Sequence, residues 1–218
     1  MEFIVTAGPT REFIDPVRFL SNPSTGRMGF AVARAARRAG HEVTLVAGPV
    51  ALATPRGVKR VDVVSARDML AAVQAALAAA KGPRAALVMT AAVADWRPAA
   101  CAPAKLKKSE MDGVLRLVRN PDVLKTLDAW LRAHPFPGRL VRVGFAAETG
   151  EPSAEAARKC REKGLDLVVG NDVTAPGSGF GTATNRVTFV HGDGSVRPLP
   201  LLSKDAVARR IVAFCDRL

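Results

Sequence analysis

Short runs of β-branched and apolar residues alternate along this chain with longer segments whose apolar positions recur at helical spacing, and that alternation predicts an α/β fold on a parallel sheet. A first strand is predicted over 2–7. After a long loop, small and apolar residues predict a helix over 26–39, with Arg34, Arg37 and Arg38 interspersed and Gly40 as its stop. Strands follow over 41–47 and, more briefly, 60–64. Ser65 reads as the cap of an Ala-rich helix over 66–81, and 84–90 as the next strand. Asn120 and Pro121 have the form of an N-cap and first helical position for a helix running to 132. Two further strands, 140–145 and 166–170, are separated by a helix over 153–163. Residues 185–190 and 196–201 flank Gly192-Asp193-Gly194, a hairpin signal, and a last helix capped by Ser203 ends the chain.

These elements predict a Rossmann-like, doubly wound, mostly parallel sheet with a C-terminal antiparallel hairpin. No repeat or low-complexity linker interrupts residues 1–218, which read as a single domain. The one shift in composition, over 99–113, leads through small residues and prolines to Lys105-Leu106-Lys107-Lys108 and reads as an active-site segment.

Sheets of this kind bind ligands outside the carboxyl ends of their strands, so the loops just after the strands carry the candidates. The first loop holds Gly8 and then Ser24, Gly26 and Gly29 around a helix start, where free N–H groups and the positive end of the dipole suit a phosphate. The pattern is neither a Walker loop nor G-x-G-x-x-G, and tight turns or close helix–strand packing account for the same glycines equally well. Lys105, Lys107 and Lys108, together with Lys159 and Lys163 at i and i+4, are charge runs that read alone as solvated surface. Both groups adjoin strand-end loops, which allows several cations to converge on one anionic ligand. Asp95, Asn22 and Phe145 have ordinary structural readings as turn cap, backbone partner and core residue. His41, His134 and His191 have no Ser, Cys or Asp partner in a strand-end loop, so a nucleophilic triad is not supported.

Charge then sharpens the choice of ligand. The chain has 218 residues, 48% of them hydrophobic and 24% charged, which excludes a disordered or collagen-like protein. Its 32 Lys and Arg against 20 Asp and Glu give +12, which raises a nucleic-acid-binding module as one reading. Aromatics are only 5% and the basic residues are spread through every helix, so small anions fit better than a polyanion. A nicotinamide-dependent reductase is the other competitor, but there is no Tyr anywhere in the chain for a Tyr–Lys pair. Three widely spaced cysteines, Cys101, Cys160 and Cys215, support neither a disulfide framework nor a zinc site. With no leader and no apolar run long enough to span a bilayer, a cytoplasmic protein without a membrane partner is expected.

Taken in order, Thr6-Ala7-Gly8-Pro9-Thr10-Arg11-Glu12, Asp15-Pro16-Val17-Arg18-Phe19-Leu20-Ser21-Asn22, Gly26-Arg27-Met28-Gly29, Ala91-Ala92-Val93-Ala94-Asp95, Lys105-Leu106-Lys107-Lys108, Asn120-Pro121-Asp122, Gly144-Phe145-Ala146-Ala147-Glu148-Thr149 and Asn171-Asp172 span nearly the whole chain. Together they resemble phosphopantothenoylcysteine synthetase, the ligase of coenzyme A biosynthesis that is often fused behind a flavin-dependent decarboxylase. The resemblance implies ligation of 4'-phosphopantothenate to L-cysteine in two steps, with CTP as co-substrate, an acyl-cytidylate intermediate, and release of pyrophosphate and then CMP. ATP is the alternative nucleotide. The resemblance also implies Mg2+, without specifying its protein ligands. Gly8, Ser24, Gly26 and Gly29 are expected on the phosphate side of the nucleotide. Ala91, Asp95, Lys105, Pro121, Asp122, Val123, Leu124, Phe145, Lys159, Lys163 and Asn171 are expected to complete its site. Asn22, Ala91, Ala92 and Asp95 are implied contacts to phosphopantothenate, with Arg18 supplied across a homodimer interface for which the 185–201 hairpin is a candidate. Lys105 is expected to stabilise charge during cytidylate formation, and Asn22 to orient the acyl group. Trp96 stands after Asp95 where Tyr is more usual. No flavin and no decarboxylation are expected in residues 1–218, which read either as a stand-alone ligase with a separate decarboxylase as partner or as a domain excised from a fused protein.

Overall fold

The structure is a computed structural model that describes residues 1–110 and 113–218. Eight strands form the main sheet: β1 (Glu2–Ala7), β2 (Glu42–Ala47), β3 (Lys59–Asp62), β4 (Arg84–Met89), β5 (Arg139–Glu148), β6 (Leu167–Asp172), β7 (Val187–His191) and β8 (Val196–Pro198). Their spatial order is β8-β7-β6-β5-β4-β1-β2-β3. Every pairing from β3 across to β6 is parallel, while β7 and β8 are antiparallel. The chain therefore runs outward from β1 to β3, returns to the middle, and runs outward again from β4. That reversal is the topological switch point of a doubly wound sheet.

Five helices cover the sheet: α1 (Arg27–Arg38), α2 (Ala66–Ala79), α3 (Val123–Ala133), α4 (Ser153–Glu162) and α5 (Lys204–Arg217). Alternation along β1 assigns the two faces. Phe3 and Val5 pack with the α1 and α5 residues Phe30, Val32, Ile211 and Val212, whereas Ile4 packs with Met69 and Val73 of α2 and Leu127 of α3. A smaller cluster of Ala156, Cys160, Val168 and Val190 seats α4. Because both faces are covered, β1 from Phe3 to Ala7 is wholly buried, as strands in parallel sheets are.

Helix starts follow local chemistry. Ser65 caps α2 in a reciprocal capping box with Asp68, and the buried Glu12 carboxylate accepts from Ala66 N at 2.9 Å. Ser203 caps α5. At α3 the expected boundary is corrected. Asp122, not Asn120, is the N-cap and accepts from Lys125 N at 3.1 Å, so the helix begins at Val123. Asn120 instead ties two loops together, its amide donating to Ala94 O at 2.8 Å and its backbone N–H to Asp95 O at 2.8 Å. The C-terminal hairpin forms, but it is shorter than expected. Asn185 leaves it to pair with Leu202 in a separate two-residue ribbon. Two other ribbons, Arg11–Phe13 with Phe19–Ser21 and Trp96–Pro98 with Leu117–Arg119, lie in stretches expected to be loop.

Candidate active site

At the switch point the loops after β1 and β4 are stitched together. Pro9 bridges Ala92 in parallel fashion, Ala92 N donates to Gly8 O at 2.9 Å, and Ala94 N donates to the buried Thr10 hydroxyl at 3.0 Å. Asn22 joins this seam through its side-chain NH2, which donates to Ala92 O at 3.1 Å and Val93 O at 3.3 Å. Both amide hydrogens are thereby used, and the side-chain oxygen is the group Asn22 has left to offer.

Beyond the seam lies a crevice of about 790 Å³ across the carboxyl ends of the strands. Asn22, 91–96 and 119–124 form one wall, and 145–148 with Lys159 and Lys163 the other. Lys159 donates to Phe145 O, and burial pushes its ammonium below the usual lysine range, with repulsion from Lys163 adding to the effect. Lys163 pairs with Asp122. Burial alone would raise Asp122, but the Lys163 ammonium and the Lys125 N–H hold its carboxyl below the ordinary range. The i,i+4 lysines thus share one side of the last turn of α4 and differ in state: Lys163, at the C-cap, is paired with a carboxylate, and Lys159 is half-buried against a carbonyl.

A second cavity of about 110 Å³ shares Ala91, Ala92, Phe145, Ala146, Ala147 and Phe180 with the first. The start of α1 faces it, lined by Ser24, Gly26 and Gly29, with Asn171 opposite. Gly26 is the N-cap in the left-handed conformation (φ 76°), with no side-chain cap and no acid in the first turn. Asn171 accepts from the Ser178 hydroxyl at 2.7 Å, and Asn185 accepts from Gly179 N at 3.1 Å, which fixes the glycine-rich 177–181 loop that carries Phe180.

Of the expected site residues, Asn22, Ser24, Gly26, Gly29, Ala91, Ala92, Asp95, Pro121, Asp122, Val123, Leu124, Phe145, Lys159, Lys163 and Asn171 line one or both cavities. Gly8, Arg18 and Lys105 line neither. Gly8 sits behind Gly26: a Cβ on Gly26 would lie 3.3 Å from Gly8 N, and one on Gly8 would lie 3.2 Å from Gly48 O. Its role in the structure is close loop packing. Arg18 and Lys105 are brought near each other instead. The Asp15 carboxylate, fully buried, accepts from Val17 N and Arg18 N at 2.8 Å each, from the Arg18 guanidinium, and from Leu106 N at 3.2 Å. Arg18 also donates to Leu106 O at 3.0 Å, which docks the 99–110 segment on the first ribbon with Lys105 exposed. Sequence reasoning missed Phe180, Arg119, Arg158, Glu148 and Lys204. The Gly177-Ser178-Gly179-Phe180-Gly181 run carried a visible signal for Phe180, and the Gly144-Phe145-Ala146-Ala147-Glu148-Thr149 run one for Glu148.

Asp15 makes the first testable prediction. The Arg18 guanidinium and then the surrounding N–H groups hold its carboxyl well below the ordinary value of 3.8. Its stabilisation is therefore complete above that value and is lost as pH falls through the depressed one. Asp15→Asn is expected to lower the melting temperature at pH 7 by roughly 5 °C or more, and to flatten the loss of stability below pH 4. Parallel melting curves from pH 7 to pH 2 for parent and variant would contradict this.

Among the described residues no group of three or more His, Cys, Asp or Glu converges as for a metal, and no helix is long and apolar enough to cross a membrane. A 3-2-1-4-5-6 sheet with a crevice of mixed charge over its switch point defines a Rossmann-like α/β ligand-binding domain. Comparison narrows the class. Residues 1–218 match the DNA/pantothenate metabolism flavoprotein C-terminal domain, and the chain belongs to that family. It is 43% identical over 211 residues, 96% of this chain and 50% of the relative, to the coenzyme A biosynthesis bifunctional protein CoaBC of Vibrio vulnificus strain YJ016. The corresponding protein of Bacillus subtilis strain 168 is 44% identical over 210 residues, 96% of this chain and 49% of its own length. The chain therefore spans about half the length of these relatives. A crystal structure of the C-terminal domain of a CoaBC protein superposes with a TM-score of 0.78 at 40% identity, covering 99% of this chain and 94% of that one.

Proposed function

We propose that residues 1–218 form one phosphopantothenate–cysteine ligase domain that uses CTP and acts in coenzyme A biosynthesis. The observation that carries this reading is the convergence of Asn22, Asp95, 121–124, Phe145, Lys159 and Lys163 on one crevice, in a chain over 40% identical to half of CoaBC proteins. In the first step a carboxylate oxygen of 4'-phosphopantothenate attacks the α-phosphorus of CTP, and pyrophosphate leaves with the electron pair of the broken P–O bond. The nucleophile is already ionised at neutral pH, so the site needs positioning and cations and no general base. In the second step the cysteine amine attacks the acyl carbon, CMP leaves with the electron pair, and the amine gives up a proton. Asn22, with its NH2 tied to the backbone, presents its oxygen to an N–H donor, which suits the incoming amine.

Mg2+ fits the crevice as a companion of the triphosphate, since that ion is commonly held by one or two carboxylates plus phosphates. Asp95 and Glu148 are the crevice carboxylates that form no salt bridge among the described residues and would hold it. Bound there, Mg2+ would neutralise phosphate charge.

Lys105 and Arg18 lie outside the cavities of their own chain, on a surface where Val17, Phe19, Val64, Trp96, Leu117 and Val118 are exposed around two adjacent ribbons. We place a homodimer interface there, in preference to the C-terminal hairpin, which exposes only Val196 and Leu201 among its large apolar residues. Arg18, and Lys105 with it, would then serve the partner's crevice. A strictly monomeric and fully active protein in ultracentrifugation would refute this.

The decisive experiment is a nucleotide panel scored for pyrophosphate release with phosphopantothenate alone, then for CMP release once cysteine is added. CTP is expected to support both half-reactions, and no release with any nucleotide would overturn the ligase reading. Lys105→Gln is expected to slow pyrophosphate release by about 10²-fold, the usual scale for losing one charge-stabilising group. Release by the folded variant at the parent rate would remove Lys105 from the chemistry.

A further inference from the structure

Lys204 occupies the first position of α5, the end of a helix where a cation opposes the macrodipole. It is nevertheless only 7% exposed. Its ammonium donates to Gly179 O at 3.0 Å, one of three donors it carries. No carboxylate is bonded to it among the described residues, although Asp205 lines a neighbouring cavity with it. The cavity at the start of α1 is lined by Lys204 and Arg27, and among the described residues by no Asp or Glu. Asp205, the next residue, pairs with Arg34 instead. Burial pushes the Lys204 ammonium down, and the charge of Arg27 pushes it further. An ammonium buried beside a guanidinium without an acid costs folding free energy, and folding alone offers no return for it.

The same cavity receives the uncapped first turn of α1, whose leading N–H groups have no partner inside the helix. Two cations and a helix N-terminus therefore face one small space that opens into the large crevice past Ala92, Phe145 and Phe180. By contrast the large crevice mixes its cations with Asp95, Asp122, Glu148, Glu155 and Glu162. The small cavity, by comparison, carries positive charge without acid among the described residues.

We propose that Lys204 is a substrate-binding residue for the terminal phosphates of the nucleoside triphosphate, and that the cavity at the start of α1 holds the departing pyrophosphate. The inference rests on the ligase reading of the crevice. As the carboxylate attacks the α-phosphorus, the bridging oxygen to the β-phosphate takes the electron pair of the broken bond. The Lys204 ammonium hydrogen-bonds the oxygens on which that charge collects.

Lys204→Met and Lys204→Gln test this. Both are expected to weaken CTP binding and product inhibition by pyrophosphate tenfold or more, and to change CMP binding less than twofold. Without ligand, Lys204→Met is expected to melt at or above the parent temperature, since it removes a buried charge and keeps the volume. Equal losses for CTP and CMP, unchanged CTP binding, or failure of both variants to fold would overturn the proposal, the last by making the bond to Gly179 structural. If the parent binds and turns over CTP while the variants keep its preference for triphosphate, only the role of Lys204 fails. If the parent binds no nucleoside triphosphate, the ligase reading fails and this inference goes with it.

Discussion

Lys159→Met is expected to lower kcat/KM for ligation by about 10²-fold or more while leaving the protein folded. Lys159 is a half-buried cation of the large crevice whose hydrogen-bond partner is the Phe145 carbonyl; Asp122, Glu148 and Glu155 act on its charge only from a distance, and none is bonded to it among the described residues. Lys163 reaches the same wall but is paired with Asp122, which also caps α3. Removing Lys163 therefore leaves a carboxylate and a helix start to readjust, whereas removing Lys159 deletes charge that is available to a ligand. The pH dependence separates the two roles. With its folded pKa below the ordinary 10.5, Lys159 binds more protons unfolded than folded between those values. Stability contributed by this site therefore rises with pH across that window. In Lys159→Met that rise is expected to vanish, and the melting temperature at neutral pH to match or exceed the parent's. A variant that melts far below the parent and regains activity at low temperature would make Lys159 structural and sink the prediction.

The eight main strands and five helices were legible because each depends on local pattern. The Phe3-Ile4-Val5 run of β1, the Ser65 and Ser203 caps and the Gly40 stop all express physics within a few residues. The three ribbons were not legible. Each strand in them is two or three residues long, too short for a period, and is held by contacts distant in sequence such as Arg11 N to Val64 O at 2.8 Å. The α3 start was misplaced by two residues because Asn-Pro and Pro-Asp both carry capping chemistry. The structure prefers the Asp whose second oxygen also meets Lys163.

The site divides along the same line. Residues at or just after the carboxyl ends of strands, such as 91–95, Phe145 and Asn171, line the crevice or the small cavity because the doubly wound topology puts them there. Gly8 also follows a strand, yet it sits behind Gly26, and only three-dimensional packing separates those two glycines. Lys204 shows the opposite failure. A lysine after a helix cap in a chain of 32 basic residues looks like surface, and its burial comes from the 177–181 loop, which folds over it through Gly179 O. The sequence-level charge excess thus hid a cation that the fold singles out.

Gly29→Ala is expected to destabilise the protein by about 2 kcal/mol or more, equivalent to a fall of roughly 5 °C or more in melting temperature. Two effects oppose each other. Gly29 lies inside α1, where alanine is favoured over glycine by about 1 kcal/mol. Against this, a Cβ at that position would stand 2.5 Å from Ala7 Cβ, 2.6 Å from Thr90 Oγ1 and 2.8 Å from Thr6 O. Two of those atoms already form a hydrogen bond, Thr90 Oγ1 donating to Thr6 O at 2.6 Å, and the third contact is with the buried end of β1. None is the tip of a flexible side chain, so relief requires α1 to move off the sheet, and overpacking of that kind outweighs the propensity gain. The first turn of α1 lines the small cavity, so nucleotide affinity is expected to fall with stability. Ala7→Gly in the same chain removes the closest contact and is expected to restore part of both, a coupling that a double-mutant cycle measures directly. If Gly29→Ala melts at or above the parent, helix propensity has won, and the close approach of α1 to the strand ends is not what requires a glycine there.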